Sequence, residues 1–548
     1  MHNAKIMHRV FRGNIMLVTE RRKWYVGFGI VLIFFVALLI IVQANWYWIF
    51  GLIGILAAIG IYDRLQRKHT LLRNFPVLGH MRYILEFFRP EIQQYFVASD
   101  DSERPFDRKT RTIVYERAKG IPDTISFGND KDIMKAGYEW ALHSLSPKHH
   151  SNVDPRIIIG NEQCKQPYSA SRLNISALSF GALSKNAIMA LNLGAKKGNF
   201  LHNTGEGGLT EYHLLGGDIG MQVATAYFGF RTEDGNFDPE KFRQQAILPN
   251  VKLIEIKLSQ GAKPAHGGML PKEKITPEIA RIRGVGMDKD IISPPTHKAF
   301  STPEGLCHFI AQLRELSDGK PVGFKLCIGK KTEFFAICKA MIKTGIYPDF
   351  IVIDGMEGGT GAAPSEFVNS IGMPLQEALV FVNNALVGCG LRKHIRIIAS
   401  GKNATGFDMV RMMALGADII NSARAMMLAL GCIQSKQCGN NTCPVGVATQ
   451  NPRLFKQLDI DDKSERVYNY HKSTVKNFTE LVGAMGLENP SDILPSSVMR
   501  RISDHEVRYF DEIYEFVKPN CLLDPATIPK QFQRFWEAAT PDTFTFVH

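Results

Sequence analysis

The chain has 548 residues, of which 45% are hydrophobic, so it can form one large domain with appendages or about three ordinary domains. Its formal net charge is +12, but lysine and arginine are spread along the whole chain and no basic run alternates with aromatic residues, which argues against nucleic-acid binding. Nine cysteines without regular pairing argue against a disulfide scaffold and favour a reducing compartment.

Two uncharged apolar runs predict a transmembrane helical hairpin over residues 24–62, preceded by a cytoplasmic segment 1–23. The run 25–42 is long enough to cross a bilayer, whereas the run 46–62 is shorter and glycine-rich, so a re-entrant or interfacial helix is the alternative for it. Basic residues flank both outer ends and aromatic residues lie at the turn, which predicts a multi-pass protein of the cytoplasmic (inner) membrane whose main domain faces the cytoplasm. A cleaved signal peptide is disfavoured, because the first run is long, lacks a small-residue cleavage site and is followed by a second run.

The middle of the chain predicts a parallel α/β architecture. Residues 63–165 are mixed and polar, and they predict a connector and a segment that packs on the main domain. From residue 166 to 451, short apolar runs such as LIEIKLS, VGFKLCI, FIVIDG and IRIIAS alternate with helical patterns. Several predicted strands end in glycine or polar residues, which favours a (β/α)8 barrel with its site at the strand carboxyl ends. A doubly wound open sheet is the alternative, weakened because no G-x-G-x-x-G follows an early strand. Residues 452–548 predict a helical C-terminal extension.

Glycine-rich loops follow several predicted strands. NTGEGG, residues 203–208, has three glycines in six positions, which let the backbone approach a flat ligand closely with Glu206 pointing in. DGMEGGTGAAPSE, residues 354–366, can present backbone N–H groups to ligand oxygens. Each of these loops taken alone is also typical of an ordinary turn.

A phosphate site is predicted near the last two barrel strands, because the loops after strands seven and eight of such barrels commonly bind phosphate. The candidates in IIASGK and in the next loop are Ser400, Gly401, Lys402, Ala423 and Arg424.

The stretch IKLSQGAKPAHGG spaces Lys257, Gln260 and Lys263 three residues apart at a strand end. Such spacing can aim two ammonium groups and an amide into one pocket, which suits a dicarboxylate. A solvated basic loop is the alternative, and the spacing alone favours it, because most lysines are exposed.

Three cysteines, Cys432, Cys438 and Cys443, fall within twelve residues of the segment 431–450. The glycines and asparagines between them let the chain wrap, so the thiolates can converge on one metal centre. Zinc is disfavoured because no second cysteine pair or nearby histidine supplies a fourth ligand. Three thiolates suit an iron–sulfur cluster with an iron-free corner; three unrelated buried cysteines, or a disulfide and one free thiol, are the alternatives.

These segments, in this order, resemble those of the glutamate synthases, the flavin and iron–sulfur enzymes that make glutamate from 2-oxoglutarate. The resemblance covers residues 171–451 and rests on SALSFGALS, NTGEGG, IKLSQGAKPAHGG, DGMEGGTGAAPSE and GCIQSKQCGNNTCPVGVATQNP. It implies an FMN-binding barrel and a 3Fe–4S cluster held by Cys432, Cys438 and Cys443.

The resemblance also implies roles for individual residues. It implies flavin contacts by Ala177, Ser179, Asn203, Gly358 and Gly359, and a lysine beside the flavin at Lys325. It further implies that the 2-oxoglutarate site is formed by Lys257, Gln260, Lys263 and Arg283, with Glu206 relaying a proton or holding the imine nitrogen.

The chain departs from the family pattern in three places. His266 replaces a usual glutamate, and Ser400 and Ala404 stand where the large enzymes have aspartate and lysine. The glutaminase domain and the C-terminal glycine-repeat domain of the large enzymes have no counterpart, so the chain resembles the short stand-alone type.

The expected function is the reduction of the imine of 2-oxoglutarate to L-glutamate by electrons delivered through FMN and the cluster. The expected partners are 2-oxoglutarate, ammonia or a separate glutaminase, a ferredoxin-like electron donor and membrane lipid; no nucleic acid is expected, and a homo-oligomer is allowed. The alternatives are a membrane-anchored flavin and iron–sulfur oxidoreductase acting on another amino or keto acid, and a non-enzymatic electron-relay or scaffold subunit.

Overall fold

The computed structural model describes residue 33 and residues 47–149 and 154–546 of the chain. These residues form two compact units, one that ends at Ala98 and one that begins at Ser99. The predicted boundary between connector and main domain was residue 165, so the second unit begins well before it.

The first unit is helical in its described part. Its elements are α1 (Tyr47–Leu65), α2 (Thr70–Asn74), α3 (Gly79–Ile92) and a π-helical turn (Gln93–Val97). Within the described residues, only Trp48–Leu65 of α1 is long enough and apolar enough to cross a membrane, and nearly all of it is exposed. Apart from residue 33, the first predicted run lies outside the described residues, so the hairpin stays a prediction.

The second unit contains all fifteen strands of the described chain. They are β1 (Glu139–Ala141), β2 (Ile157–Ile159), β3 (Tyr168–Ala170), β4 (Leu173–Ile175), β5 (Leu201–Asn203), β6 (Asp218–Val223), β7 (Val251–Lys257), β8 (Met269–Leu270), β9 (Ile291–Ile292), β10 (Val322–Leu326), β11 (Phe350–Asp354), β12 (Arg396–Ser400), β13 (Ile419–Ser422), β14 (Val498–Ser503) and β15 (Glu506–Tyr509).

Eight of these strands, β4 to β7 and β10 to β13, pair in parallel and close into a barrel. Closure confirms the predicted (β/α)8 class and excludes the open sheet, because an open sheet would leave two unpaired edges. The connection between β5 and β6 departs from the regular pattern, since it carries only the 3₁₀ turns Gly205–Gly207 and Glu211–His213. The connection between β7 and β10 is the longest and contains the β8–β9 hairpin.

The second unit also contains fourteen α-helices among the described residues. They are α4 (Arg108–Ala118), α5 (Lys185–Gly198), α6 (Pro239–Ala246), α7 (Pro277–Arg283), α8 (Pro303–Leu316), α9 (Lys331–Thr344), α10 (Ser365–Ser370), α11 (Leu375–Gly388), α12 (Gly406–Ala414), α13 (Arg424–Ala429), α14 (Pro452–Phe455), α15 (Ile460–Ala484), α16 (Phe510–Ile513) and α17 (Lys530–Ala538). Short 3₁₀ turns complete the unit at Lys272–Lys274, Pro490–Asp492, Pro495–Ser497 and Pro525–Thr527.

Local sequence explains where α5 begins and which face it buries. The Ser184 hydroxyl accepts a hydrogen bond from the backbone N–H of Ala187 at 3.3 Å, which caps the helix. A cap of this type contributes about 1 kcal/mol to stability. Ile188, Leu191 and Ala195 are fully buried on one face, because residues three and four apart share a side of a helix.

The barrel interior is apolar at one end only. Side chains of the antiparallel β2–β3 hairpin pack with inward-facing residues of five barrel strands. The cluster consists of Ile159, Tyr168, Ala170, Leu201, Leu253, Phe350, Val352, Ile398 and Ile419. The hairpin therefore closes the amino end of the barrel, and polar inward positions are left for the carboxyl end.

The C-terminal extension is only partly helical. The amphipathic stretch predicted after residue 452 forms α15, whose Asp459 carboxylate caps it through the N–H of Asp462. The extension also contains β14 and β15, which pair antiparallel and continue through β14 onto β1. The sequence did not predict this sheet, because β14 and β15 have only six and four residues and charged side chains interrupt their apolar residues.

Candidate active site

The predicted flavin and substrate residues gather at the carboxyl end of the barrel. Because side chains alternate along a strand, a residue two positions after an inward-facing apolar residue also points into the barrel. The inward positions at this end are polar and buried, and they come from six strands: Asn203, Lys257, Lys325, Asp354, Ser400 and Asn421. A polar inner layer above an apolar one is the arrangement expected of a barrel that binds its ligand at this end.

Glu206 and Lys257 form an ion pair at the centre of this end. Lys257 Nζ donates to Glu206 Oε2 at 2.7 Å, which joins the turn after β5 to the end of β7. A Cβ atom at Gly268 would lie 2.1 Å from Glu206 Oε1, so only glycine lets the carboxylate lie against this loop. The geometry places Glu206 inside the cleft, as the sequence predicted.

Three cations keep Glu206 ionised. Burial by itself would raise the pKa of its carboxyl group, but Lys257, Arg283 and Lys263 together lower that pKa to about 2. The carboxylate is therefore charged throughout the physiological pH range.

Lys263 and Gln260 line a small cavity beside Lys257. The Lys263 ammonium is buried and donates to the carbonyl oxygen of Ala362 at 2.8 Å. Burial lowers the pKa of Lys263 to about 8, although the Glu206 carboxylate partly opposes the shift. Two of its donor positions remain for a ligand, since an ammonium group has three.

Arg283 ends helix α7 and is 3% exposed. Its Nη2 donates to the carbonyl oxygen of Phe180 at 2.9 Å, and its guanidinium carbon lies 5.0 Å from the centre of the Phe228 ring. Its Nε is buried without a hydrogen-bond partner among the described residues. Burial lowers the pKa of Arg283 to about 10, so it is a desolvated cation with free donor capacity.

These four residues give the cleft a net charge of about +2, because Lys257, Lys263 and Arg283 are opposed by Glu206 alone. An uncompensated pair of buried charges is costly unless a ligand neutralises it. The set therefore fits a dianion, which the basic-loop alternative does not explain.

Lys325 is buried near the carboxyl end of β10, with a partner that the sequence did not reveal. Lys325 Nζ is 3.7 Å from Glu255 Oε1, and Glu255 Oε1 accepts a 2.5 Å hydrogen bond from Gln222 Nε2. Glu255 and Gln222 face the interior on β7 and β6 in adjacent register. A carboxylate between the apolar residues Ile254 and Ile256 of β7 is the signal that could have identified Glu255.

The loops after β4 and β5 form a close-packed wall of backbone. Asn203 Oδ1 accepts from the N–H of Gly205, and a Cβ at Gly205 would lie 2.8 Å from the backbone nitrogen of Ser179. Ala177 and Ser179 are partly buried in the facing loop. A flat ring could contact this wall closely, since two loops already meet there through glycine.

The phosphate candidates after β12 and β13 also come together. Gly401 and Lys402 have φ of +150° and +48°, which turn the chain sharply after Ser400. Ser422 Oγ donates to the carbonyl oxygen of Asn403, and Ala423 precedes helix α13 directly. Buried amide atoms Asn403 Nδ2 and Asn421 Oδ1 have no hydrogen-bond partner among the described residues, as expected where a polar ligand belongs.

Arg424 ties this region to the loop after β11. A Cβ at Gly359 would lie 2.9 Å from Arg424 Cδ, and Arg424 Nη2 donates to the carbonyl oxygen of Glu357. Gly358 packs in the same loop, where a Cβ would lie 3.0 Å from Asp354 Oδ1. Burial lowers the pKa of Arg424, although Asp354 and Glu357 oppose the shift. Lys402 and Arg424 are thus two cations beside the unpartnered amides, which fits a phosphate group.

The three clustered cysteines are free thiols in one loop. Burial raises the pKa of Cys432 to about 12, and the nearby Cys438 and Cys443 thiols contribute to the increase. The backbone N–H of Gln434 donates to Cys432 Sγ at 3.4 Å, a contact that suits a thiolate ligand. Within the described residues, no three histidine, cysteine or acidic side chains are arranged to hold a metal ion, so the fit rests on the donor chemistry of three adjacent thiols.

Lys274 lies beside these cysteines, and no sequence motif predicted it there. Its ammonium donates to the carbonyl oxygens of Ala182 at 2.6 Å and Cys438 at 3.0 Å. It is buried and precedes helix α7, whose last residue is Arg283. One short segment therefore contacts both the cysteine loop and the substrate cleft.

A family model described as "Conserved region in glutamate synthase" matches residues 133–488. The glutamate synthase large subunit-like protein YerD of Bacillus subtilis is 37% identical over 517 residues, which cover 86% of this chain and 98% of that protein. The archaeal glutamate synthase (NADPH) of Methanocaldococcus jannaschii is 37% identical over 317 residues, which cover 58% of this chain and 59% of that protein. The match thus spans nearly all of the first relative and less than two thirds of the second.

Among solved structures, mandelate oxidase with (S)-2-phenylpropionate is 14% identical with a TM-score of 0.39, covering 73% of this chain and 98% of that one. At this TM-score the likeness carries no argument, and the barrel is assigned from its own strand pairing.

Proposed function

The chain belongs to the glutamate synthase family, whose members are oxidoreductases acting on CH–NH2 groups, and we propose that it forms L-glutamate from 2-oxoglutarate with FMN and a 3Fe–4S cluster. The observation that carries this proposal is the net charge of about +2 in the cleft, which matches the two carboxylates of 2-oxoglutarate. A monocarboxylate would leave one buried cation uncompensated.

Different residues of the cleft bind different groups of the substrate. Arg283 offers a forked pair of donors to one carboxylate, and Lys263 offers a point charge to the other. Gln260 donates to a carboxylate or to the keto oxygen, because its amide NH2 group carries two donors. Glu206 holds the cationic imine nitrogen, because its carboxylate stays ionised, and Lys257 fixes the position of that carboxylate at 2.7 Å.

The flavin would be held by the backbone wall of Ala177, Ser179 and Asn203, and its phosphate by the loops after β12 and β13. When bound, FMN supplies hydride transfer and joins one-electron donors to a two-electron reduction. Cys432, Cys438 and Cys443 would hold the cluster, whose chemistry would be single-electron transfer. Lys325 would lie beside the flavin, and its ammonium group is paired with the Glu255 carboxylate.

The electron donor that we propose is a ferredoxin-like protein, since the sequence carries no nicotinamide-binding motif, and the nitrogen source is ammonia or a separate glutaminase. We also propose that α1 crosses the cytoplasmic membrane, with the barrel on the cytoplasmic side. Support for this placement comes from the exposed apolar window Trp48–Leu65 and from the basic residues Arg64, Arg67 and Lys68 at its end.

The decisive experiment reduces the purified protein anaerobically and follows the flavin absorbance. The expected result is reoxidation by 2-oxoglutarate and ammonium together, and by neither alone. Reoxidation by pyruvate and ammonium at a similar rate would replace this function with that of an oxidoreductase acting on another keto acid. A protein that carries no flavin would refute the assignment of FMN.

A further inference from the structure

Helix α3 of the first unit has an apolar face that is exposed. Its apolar residues at positions 81, 84, 85, 88 and 92 follow the three-and-four spacing of one helical face. Their exposed fractions are 60% for Met81, 55% for Ile84, 58% for Leu85, 51% for Phe88 and 40% for Ile92. An apolar stripe of this length on a water-facing helix is costly, so it indicates a surface with a partner.

The start of α3 is fixed to the end of α1. The Asp63 side chain is 0% exposed and accepts a hydrogen bond from the backbone N–H of Val77 at 2.8 Å. The His80 Nε2 atom lies 2.9 Å from Asp63 Oδ1 and 3.0 Å from Asp63 Oδ2. Because Asp63 lies at the last turn of α1, α3 begins at the depth where the apolar window of α1 ends.

The charges around α3 favour an acidic surface. Between residues 64 and 97 there are six arginines and lysines and two glutamates, so this segment is strongly basic. Arg82 and Arg89 lie at the edge of the apolar face, and Arg82 forms an ion pair with Glu86 at 2.9 Å on the polar side. An apolar face with basic edges is typical of helices that lie in the headgroup region of anionic bilayers.

We propose that α3 lies in the plane of the cytoplasmic membrane surface, with Met81, Ile84, Leu85, Phe88 and Ile92 inserted among anionic phospholipids. The proposal rests on the membrane placement of α1, because α1 sets the depth of α3. It adds to that placement a second lipid contact that holds the chain parallel to the membrane after it leaves the bilayer. A second copy of the chain, or another protein surface, is the competing occupant of this face.

The test uses the full chain in vesicles of phosphatidylethanolamine and phosphatidylglycerol. The photoreactive residue p-benzoylphenylalanine replaces Ile84 or Phe88 on the apolar face, and Glu86 or Gln93 on the polar face as matched controls. A fifth variant carries it at Ile55, which reports on α1 alone. After irradiation, intact-mass measurement separates phospholipid adducts from crosslinks between protein segments.

The expected result is phospholipid adducts at positions 84 and 88, several-fold more abundant than at 86 and 93. Adducts at 55 with protein crosslinks at 84 and 88 would overturn this proposal and leave the placement of α1 intact. Equal adduct yields on both faces of α3 would overturn it as well, because an interfacial helix must show two different sides. Failure to label position 55 would separately refute the span.

Discussion

Replacement of Arg283 by leucine tests the charge argument most directly. The substitution lowers the cleft charge from about +2 to about +1 and removes the forked donor from a site where it is already desolvated. Loss of one buried, hydrogen-bonded charge partner costs about 2–5 kcal/mol, which corresponds to a loss of about thirtyfold to a few thousandfold in kcat/KM for 2-oxoglutarate. We expect about a hundredfold or more within this range, with normal flavin content, because no predicted flavin contact lies on α7.

Arg231 provides the matched control. Its guanidinium carbon also lies over the Phe228 ring, at 5.9 Å, but Arg231 does not contribute to the shift in the pKa of Glu206. Arg231→Leu should therefore leave the kinetics with 2-oxoglutarate nearly unchanged. Steady-state assays with a chemically reduced flavin, run with 2-oxoglutarate and with pyruvate, measure both variants. If Arg283→Leu left 2-oxoglutarate kinetics unchanged, or reduced pyruvate use equally, the dianion argument would be wrong.

Three further predictions follow from the same geometry. Burial lowers the pKa of Lys263 to about 8, so the cleft loses a cation as the pH rises through this value; KM for 2-oxoglutarate should rise above pH 8 in the parent but stay low in Lys263→Arg, and a flat parent profile would contradict this. Cys438→Ser should abolish the iron signal in electron paramagnetic resonance and reduce activity with a protein donor far more than activity with chemically reduced flavin, whereas Cys164→Ser, outside the site, should do neither. Deletion of residues 1–98 should give a soluble flavoprotein, because the second unit begins at Ser99, whereas deletion of residues 1–62 should leave the apolar face of α3 and cause membrane or detergent association, as vesicle flotation would reveal.

The fold was predictable where apolar runs alternate with helical patterns, and less so where strands carry inward polar groups. The strands around LIEIKLS, VGFKLCI, FIVID and IRIIAS appear as β7, β10, β11 and β12. Strand β6, DIGMQV, was not predicted, because its aspartate, glycine and glutamine break the apolar pattern. This glutamine, Gln222, donates a hydrogen bond to Glu255, and Glu255 forms an ion pair with Lys325.

The sequence predicted which loops form the site, but not which of their side chains contact one another. The resemblance implied one substrate site for Lys257, Gln260 and Lys263, whereas their spacing alone favoured a solvated basic loop; the structure brings the three residues together around one cavity. Spacing could not reveal that Lys257 is bound to Glu206, or that Arg283 joins them from α7, because both contacts cross between distant connections of the barrel. The exposed apolar face of α3 was missed for a different reason: residues 63–165 were expected to pack on the main domain, and the exposure of an apolar face cannot be predicted from composition.

The cysteine loop and the substrate cleft share their supporting backbone. The loop after β11 accepts the Lys263 ammonium at the Ala362 carbonyl, and the same loop meets the cysteine segment, where a Cβ at Gly439 would lie 3.1 Å from the Gly361 oxygen. On the other side, Lys274 holds the Cys438 carbonyl and precedes the helix that ends in Arg283. Loss of the cluster should therefore disturb both anchors of 2-oxoglutarate, so Cys438→Ser should raise KM even when the flavin is reduced chemically. Under the proposed function, the cysteine segment would then have two effects, because it would hold the cluster through which electrons enter and it supports the loops that position the substrate.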